Sequence, residues 1–322
     1  MQRVLVINWG LVGDSLLQTP LLRALRRGLP NARIDLVAHA RSAALFASNP
    51  HLTNVIAHDP KAHRGWRCPR FLPFAWGLRR AGYDLVIDAF GNRRSAWLTS
   101  VLGATITVGW DGLHARRYAR RAPVTAAHII DRYLALGVAA GVAGVGPELD
   151  LVLRDEWRTW AERCQQTFSS ADPLVLINVG AGDPRKRWPA ERVGELARTV
   201  GGRGLRCVLL WGPGEEALAR TAAAISGAAM APACSLGESA ALIARAALLV
   251  TPDSGPLHMA TALRVPVVGL FSTEHPDRYG PRSGRFALVT APGCGQPGAQ
   301  AADITHDQVL AACTGLLAEV GA

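Results

Sequence analysis

The segment VLVINWGLVGDSLLQTPLLRAL, from Val4 to Leu25, holds a short apolar run, a glycine turn and an amphipathic stretch in immediate succession. The run Val4–Asn8 is apolar up to its last residue, which is typical of a parallel strand buried on both faces. The apolar residues that share one face of the following stretch are Leu17, Leu21, Ala24 and Leu25. The segment therefore predicts a strand, a tight turn and a helix, the repeating unit of doubly wound α/β domains.

Apolar runs of strand length alternate with helical patterns along most of the remaining chain, in two series. In the first series, the runs after Val4–Asn8 are Ile34–Ala38, Val55–His58 and Leu85–Phe90. In the second series, the runs are Leu174–Val179, Cys207–Trp211, Leu248–Thr251 and Val267–Phe271. Two such series predict two Rossmann-like domains, each with a parallel sheet covered by helices on both faces.

Glycine and proline interrupt this pattern around 145–173, between the two series. The length of 322 residues also suits two domains of about 150 residues each. We therefore predict an N-terminal domain over 1–160 and a C-terminal domain over 170–322. Residues 291–302 are predicted to form a loop, and a last helix is expected after it, with Thr305 as its cap.

Composition limits the classes of protein to which the chain can belong. Hydrophobic residues make up 49% and charged residues 19%, which provides a sizeable core and excludes global disorder. No apolar run is long enough for a membrane span, and a strand beginning at Arg3 predicts that there is no secretory signal. The six cysteines lack C-x-x-C spacing, which fits a reducing compartment and argues against a structural zinc site. We therefore expect a globular cytoplasmic protein.

The positive charge of the chain is concentrated in its first half. Up to residue 160 there are 21 Lys and Arg against 11 Asp and Glu, whereas the remainder has 14 of each kind, so the first half carries the whole net charge of +10. This asymmetry predicts that the first domain faces nucleic acid, an acidic membrane or a phosphorylated substrate. A solvated basic surface without a partner is the alternative.

The first glycine turn, NWGLVGD from Asn8 to Asp14, lies directly between the first predicted strand and helix. Gly10 and Gly13 allow a tight turn, and the helix N-terminus behind them attracts anions. The turn lacks the G-x-G-x-x-G pattern, so a nicotinamide cofactor is weakly supported. Asp14 at the helix start is either an N-cap or a general base that faces a ligand.

A second turn, NVGAGDPRKRWP from Asn178 to Pro189, follows the first strand of the second series. It has glycines first, including Gly182, then three adjacent cations, including Lys186, and then a proline that opens a helix. This order is typical of a phosphate-binding loop at a helix N-terminus. A solvated loop with three cations is the alternative.

A third turn, TPDSGPLHMA from Thr251 to Ala260, again joins a strand to a helix. Asp253 or Ser254 can cap that helix, and the main-chain N–H groups beside them are suited to a second phosphate or an oxyanion. His258 near the first helical turn is either a packed structural residue or part of the site. In a fourth turn, Trp211–Glu216, a carboxylate after a strand is suited to accept hydrogen bonds from a ribose.

Several catalytic signatures are missing from the sequence. There is no Walker lysine loop, no G-x-S-x-G elbow, no H-E-x-x-H pair and no Asp-x-Asp pair. Without Asp-x-Asp, a nucleotide-sugar enzyme need not hold its diphosphate through a metal, and Lys186 together with helix N-termini would have to neutralise it. We therefore expect neither a bound metal nor a cofactor.

In their order and spacing these motifs make the sequence similar to glycosyltransferase family 9, the heptosyltransferases that transfer heptose from ADP-heptose to the inner core of lipopolysaccharide. The resemblance covers nearly the whole chain. It rests on Asn8–Leu25, Arg116–Tyr118, His128–Leu134, Gly180–Pro189, Val265–Phe271, His275–Asp277 and, most specifically, Asp253–Ala260. It implies a GT-B architecture of two facing Rossmann-like domains, the first binding the acceptor and the second binding the ADP-sugar.

The resemblance also implies roles for individual residues. Asp14 matches the catalytic base of the family, and Lys186 matches the lysine that binds the diphosphate. Glu216 matches an acid near the nucleotide ribose, and the backbone near Cys234 falls where the family contacts adenine. The donor-binding turns are matched by Gly13, Gly182, Asp253, Ser254, Gly255 and His258. The arginines that we assign to the acceptor surface are Arg116, Arg117, Arg120 and Arg121.

The leading hypothesis is thus an inverting, metal-independent glycosyltransferase that acts on an anionic acceptor at the inner leaflet of the membrane. An ADP-sugar transferase for a protein or a secondary metabolite is the alternative within the same fold. A non-catalytic nucleotide- or polyanion-binding protein is the third hypothesis. The basic first half lacks the interleaved aromatic platform of single-strand binders, so no nucleic-acid partner is expected. Many family members carry a cysteine-rich stretch that is reduced here to Cys294, which leaves the acceptor's identity open.

Overall fold

The structure is a computed structural model that describes residues 2–59, 71–168 and 172–318. Cys68 and residues 169–171 of the predicted interruption lie outside the described residues. The chain divides into two compact units, Met1–Val152 and Leu153–Ala322. The division falls inside the stretch in which glycine and proline interrupt the strand–helix pattern.

The first unit contains one six-stranded sheet in which neighbouring strands are parallel. Its strands are β1 (Arg3–Asn8), β2 (Arg33–His39), β3 (Asn54–His58), β4 (Leu85–Asp88), β5 (Ile106–Trp110) and β6 (Arg120–Ala122). They lie in the order β3-β2-β1-β4-β5-β6, and Val4 of β1 stands beside both Ile34 and Leu85. The direction of the strand order reverses between β1 and β4, so the carboxyl ends of these two strands form the switch point where ligands bind in such sheets.

The first five helices of the first unit connect its parallel strands, and the sixth follows β6. They are α1 (Val12–Leu17), α2 (Thr19–Gly28), α3 (Ala43–Phe46), α4 (Phe71–Arg80), α5 (Arg93–Val101) and α6 (Ile129–Ala140). The single amphipathic stretch that the sequence predicts after β1 is therefore two helices, separated at Gln18. Pro20 lies in the first turn of α2, where its missing N–H group leaves no helical hydrogen bond unmade, whereas one continuous helix would need that group.

The second unit repeats the same topology. Its strands are β7 (Leu174–Asn178), β8 (Arg206–Leu210), β9 (Ala229–Met230), β10 (Leu248–Pro252), β11 (Val267–Phe271) and β12 (Phe286–Thr290), in the order β12-β11-β10-β7-β8-β9. Its helices are α7 (Asp155–Thr167), α8 (Ala190–Gly201), α9 (Glu216–Ser226), α10 (Leu236–Ile243), α11 (Gly255–Ala262), α12 (Pro276–Tyr279) and α13 (His306–Ala318). Here the switch point lies between β7 and β10.

The central strands are the most deeply buried parts of both units. Strands β4, β7, β10 and β11 consist of buried residues only, and β1 is exposed only at its first residue. In the second unit, α8 contributes Val193, Leu196 and Val200 to the same core as Val175 and Ile177 of β7. Each such side chain contributes roughly 1.5–3 kcal/mol by leaving water. Burial of this kind explains why the strands are apolar without alternation.

The predicted fold class is confirmed, because the chain forms two doubly wound parallel sheets of identical strand order. The sequence pattern missed β5, β6, β9 and β12, of which β6 has three residues and β9 two, too few to form a pattern. The last helix follows Thr305 as predicted, and the hydroxyl of Thr305 accepts a hydrogen bond from Gln308 N–H at 3.3 Å. Within the described ranges, no helix has the length and hydropathy needed to cross a membrane.

Candidate functional site

Asn178 organises the switch point of the second sheet. This buried residue ends β7, and its side-chain amide donates to the carbonyl of Gly180 at 2.9 Å and to the hydroxyl of Thr251 on β10 at 3.0 Å. The same amide lies 3.4 Å from the hydroxyl of Ser254. One side chain thus joins the second and third turns of the sequence, which are far apart along the chain.

Lys186 and Asp253 form an ion pair between the same two turns. The ammonium of Lys186 lies 2.6 Å from Oδ2 of Asp253, with the lysine side chain 20% exposed and the aspartate side chain 7% exposed. On the other side of the carboxylate, Nε2 of the buried His258 lies 4.0 Å from Oδ1 of Asp253. The predicted donor-site residues Lys186, Asp253 and His258 are therefore neighbours, and the lysine side chain remains partly exposed.

The three adjacent cations of the second turn have three different partners. Arg185 forms a salt bridge with Asp183 at 2.7 Å, and this arginine holds the pKa of the Asp183 carboxyl below its usual range. Arg187 donates to the carbonyl of Ala181 at 2.8 Å. Only Lys186 of the three reaches the ends of the central strands. A Cβ atom on Gly182 would lie in open space, so this side of the turn is sterically accessible.

The third turn presents the N-terminus of α11. Ser254 occupies the N-cap position, but its hydroxyl donates to the carbonyl of Pro252 at 3.1 Å and caps no N–H group of the helix. Gly255 is the first helical residue. A helix whose cap side chain is engaged elsewhere keeps main-chain N–H groups available to an anion.

The two glutamates after β8, Glu215 and Glu216, have different hydrogen-bond partners. Glu216 pairs with Arg220 at 2.6 Å on the surface of α9. Glu215 instead accepts a hydrogen bond from the N–H group of Gly212 at 2.9 Å, and a Cβ atom on Gly180 would overlap its carboxylate. Glu215, rather than the predicted Glu216, therefore lies at the carboxyl ends of β7 and β8. The sequence shows two adjacent acids at a helix start, and only the backbone direction distinguishes them.

The segment 291–302 forms irregular structure with one short 3₁₀ turn, anchored to the second unit. The indole of Trp188 donates to the carbonyl of Ile304 at 3.0 Å, just beyond this segment. The thiol of Cys294 lies 3.3 Å from the carbonyl of Glu274, and burial, with Asp253 and Glu274 nearby, raises the pKa of this thiol. Cys234 lies in the loop before α10, where burial raises its thiol pKa to about 12.

In the first unit, Asp14 lies in the first turn of α1, shortly after β1. Helix α1 has Leu11 at its N-cap position, so Asp14 is the third residue of the helix and is not its cap. A Cβ atom on Gly10 would lie 2.7 Å from Cβ of Asp14 and 2.9 Å from its Oδ2, so only glycine leaves space for this carboxylate. Gly13 lies in the first turn of the same helix. The buried side chain of Asn8 accepts a hydrogen bond from Gly10 N–H at 3.0 Å and holds the turn.

Asp88 is a buried acid at the same switch point that sequence reasoning missed. It ends β4 and accepts hydrogen bonds from Gly91 N–H at 2.8 Å and from the hydroxyl of Tyr118 at 2.7 Å. Burial raises the pKa of Asp88 to about 6, although these hydrogen bonds lower it. Its partners are main-chain N–H groups and the side chains of Ser95 and Tyr118, which indicates that Asp88 holds the turn and Tyr118 in place.

The predicted acceptor arginines lie in and just before β6, an edge strand of the first sheet. Arg116 and Arg117 lie in a 3₁₀ turn after β5, and Arg120 and Arg121 belong to the edge strand β6. Large apolar side chains are also exposed after three neighbouring strands, namely Leu11 after β1, Phe90 after β4 and Leu113 after β5. The carboxyl edge of this sheet therefore offers both cations and apolar groups.

Two Rossmann-like units, each with polar turns at its switch point, define a GT-B-like α/β protein. Solved structures share this fold. The glycosyl transferase family 9 structure from Veillonella parvula gives a TM-score of 0.87 at 26% identity, over 99% of this chain and 97% of that chain. Escherichia coli heptosyltransferase WaaC with ADP-2-deoxy-2-fluoro heptose gives a TM-score of 0.77 over the full length of both chains, and its 22% identity shows the fold alone.

The chain belongs to glycosyltransferase family 9 (heptosyltransferase), whose family model matches residues 72–300. It is 33% identical to lipopolysaccharide heptosyltransferase 1 of Pseudomonas aeruginosa over 299 residues, which cover 86% of this chain and 81% of that protein. The family membership predicted from the motifs is thereby confirmed.

Proposed function

We propose that the protein is an inverting heptosyltransferase that transfers heptose from ADP-heptose to the inner core of lipopolysaccharide. The observation that carries this proposal is the Lys186–Asp253 pair beside the N-terminus of α11, because it offers a cation and helix N–H groups to a diphosphate. The similarity to the Pseudomonas aeruginosa heptosyltransferase supports the sugar and the acceptor. Membership of the heptosyltransferase family supports an activated heptose as the donor.

The second unit would bind the donor. The diphosphate would take the partly exposed ammonium of Lys186 as its counter-charge and accept hydrogen bonds from the turn 253–255. Gly182 leaves space beside the lysine, and the loop near Cys234 would receive the adenine. Asp253 would hold the ammonium in position through their ion pair, and His258 would support the carboxylate of Asp253 from its other side.

The first unit would supply the base. The Asp14 carboxylate takes the proton of an acceptor hydroxyl while that oxygen attacks the anomeric carbon of the heptose. The bond from the anomeric carbon to the phosphate oxygen breaks, and ADP leaves with the electron pair, stabilised by Lys186. One displacement inverts the anomeric configuration. General base catalysis typically contributes about 10²–10⁴-fold, and stabilisation of the leaving group contributes several kcal/mol more.

The acceptor is proposed to be a phosphorylated lipid core at the inner face of the cell membrane. The net charge of +10 in the first half and the arginines at 116, 117, 120 and 121 suit such an anion. The exposed apolar groups at the carboxyl edge of the first sheet suit its lipid or sugar rings. The reaction as proposed needs neither a metal nor a cofactor, and the protein would act in the cytoplasm.

Incubation with ADP-heptose and a panel of truncated lipopolysaccharide cores tests the proposal. We expect ADP and a core heavier by one heptose, detected by mass spectrometry, with the same rate in EDTA because Lys186 takes the place of a metal. Product with a protein or a secondary metabolite but with no core would point to the alternative acceptor class. Polyanion binding without any sugar turnover would overturn the enzymatic assignment, and rescue of an EDTA-inhibited reaction by a divalent ion would overturn the role of Lys186.

The ribose contact can be assigned by a matched pair of variants. We expect Glu215→Gln to weaken ADP binding about 10- to 100-fold, because a charge-assisted hydrogen bond is typically worth about 1.5–3 kcal/mol. Glu216→Gln should leave ADP binding unchanged, since Glu216 pairs with Arg220 at the surface. Calorimetric titration with ADP measures both. The reverse order of effects would show that the acid next along the helix contacts the ribose, as the sequence resemblance implies.

A further inference from the structure

Helix α4 carries large apolar side chains on the face that it turns away from the core. Phe71, Ala75 and Leu78 are buried in a hydrophobic cluster of the first unit. On the outer face, Leu72 is 53% exposed and Trp76 is 61% exposed. These two residues are one helical turn apart, so their side chains lie next to each other. The helix thus has two apolar faces, of which the described chain covers one.

The charged residues of α4 are both cations, and no residue of the helix is acidic. Arg79 and Arg80 end the helix. Beside it, Gly77 lines a cavity of about 470 Å³ together with Arg3 and Arg33, which begin the neighbouring strands β1 and β2. Arg79 and Arg80 therefore lie at the end of the helix, whereas Arg3 and Arg33 line a cavity on the side of α4 that carries Pro73 and Gly77.

Two carboxylates lie near these arginines and are outnumbered by them. Asp35 is buried and accepts hydrogen bonds from Nε of Arg33 at 3.1 Å and from the hydroxyl of Tyr83 at 2.9 Å. Asp84 accepts a hydrogen bond from the main-chain N–H of Arg3 at 2.8 Å. The surroundings of α4 consequently carry a net positive charge, and the cations at the end of the helix belong to α4 itself.

We propose that the surface formed by Leu72, Trp76, Arg79 and Arg80, the α4 face, docks the protein onto an anionic lipid bilayer. Tryptophan favours the boundary between headgroups and acyl chains because its ring is apolar and its N–H is polar. A leucine beside it adds buried apolar area, and flanking arginines attract anionic lipids. A purely apolar protein groove would leave the charges of Arg79 and Arg80 unneutralised, so the charge favours an anionic lipid surface as the occupant.

The α4 face deepens the proposed function by naming how the protein reaches an acceptor that is anchored in a membrane. Docking would keep the first unit beside the bilayer surface, where the lipid-linked acceptor is concentrated. A water-soluble acceptor does not need this contact. Comparing turnover with a membrane-anchored and a water-soluble acceptor therefore distinguishes the effect of docking from the effect of catalysis.

Vesicle binding by the full chain tests the α4 face directly. We expect co-sedimentation with vesicles of phosphatidylglycerol and phosphatidylcholine, weaker binding to pure phosphatidylcholine, and a loss of about tenfold or more in Leu72→Ser/Trp76→Ser. Val138→Ser is the matched control, because Val138 is 62% exposed on α6 of the same unit and lies outside the α4 face. Arg80→Gln should reduce the salt sensitivity of binding. Melting temperatures should stay constant, since the replaced side chains are mostly exposed.

Activity measurements distinguish failure of the docking surface from failure of the proposed function. The double variant should keep wild-type turnover with a short water-soluble core and lose it with the same core anchored in vesicles. Absence of turnover with every acceptor, with the vesicle results intact, would refute the function alone. Equal vesicle binding by wild type and double variant would overturn the α4 face. A difference in oligomeric mass between wild type and double variant, measured by light scattering without lipid, would also overturn it. A second copy of the chain would then cover the helix.

Discussion

Asp14→Asn is expected to lower the rate of sugar transfer by at least ~10²-fold while affinity for the ADP-sugar stays near the wild-type value. Asparagine has nearly the shape of aspartate and fits the space that Gly10 leaves, but its amide takes no proton at neutral pH. Affinity should persist because the proposed donor contacts belong to the second unit. Steady-state kinetics with ADP-heptose and a truncated core, with calorimetric titration of donor binding, measure the two quantities.

The structure sharpens the alternative that Asp14 is only a helix residue. Because Leu11 holds the N-cap position, the substitution removes no side-chain cap, and the loss of one charge near the helix N-terminus costs about 0.3–1 kcal/mol. Asp155→Asn removes the same charge from the first turn of α7, which also lacks a side-chain cap bond. Both variants should melt near the wild-type temperature. Equal turnover in both would leave Asp14 without a catalytic role.

Lys186→Ala is expected to lower kcat/KM by about 10²–10³-fold, with a higher KM for the ADP-sugar. The ammonium is the one cation of its turn that reaches the central strand ends, so its loss leaves the diphosphate without that counter-charge. Asp253 also loses its ion-pair partner at 2.6 Å. Removing one partner of a buried pair typically costs about 3–5 kcal/mol, and the partial exposure of Lys186 places the expected loss of stability low in that range.

Three further variants separate donor binding from stability. Lys186→Arg should restore only part of the activity, because a planar guanidinium fork does not replace a compact ammonium. Arg185→Ala should be nearly silent, since that cation pairs with Asp183 at the surface. Lys186→Ala/Asp253→Asn should recover melting temperature but not transfer, because no unpaired carboxylate remains. Full activity in Lys186→Arg, or an equal loss in Arg185→Ala, would show that the cations of this turn are interchangeable.

The cations of the second turn show which features of the site the sequence predicts and which it does not. The pattern of glycines, cations and proline after a strand indicated a phosphate-binding loop, and the resemblance singled out Lys186. Spacing alone treats Arg185, Lys186 and Arg187 alike. Their separation depends on Asp183, Asp253 and the carbonyl of Ala181, and the Asp253 contact joins positions that are remote in sequence.

The acids illustrate the same limit. Glu215 and Glu216 are adjacent residues of the same type, so the sequence does not distinguish them. At the start of α9, the first accepts a hydrogen bond from Gly212 and the second pairs with Arg220. Asp88 matched no motif, because it ends an apolar run. Its role depends on Tyr118, which lies in the connection between β5 and β6. The exposure of Trp76 depends on how α4 packs on its sheet, which no local sequence pattern states.

The sequence by itself determined the central strands of both sheets, the two doubly wound units, the turns that carry polar groups and the family, but not β5, β6, β9 and β12. These properties follow from local patterns, since a strand buried on both faces must be continuously apolar and a tight turn before a helix needs glycine. Only the tertiary structure decided which cation faces Asp253, which glutamate lies over Gly180 and which face of α4 stays exposed. Each of these depends on contacts between distant segments, whose geometry is fixed by packing around the sheets and is not encoded in any single stretch of the chain.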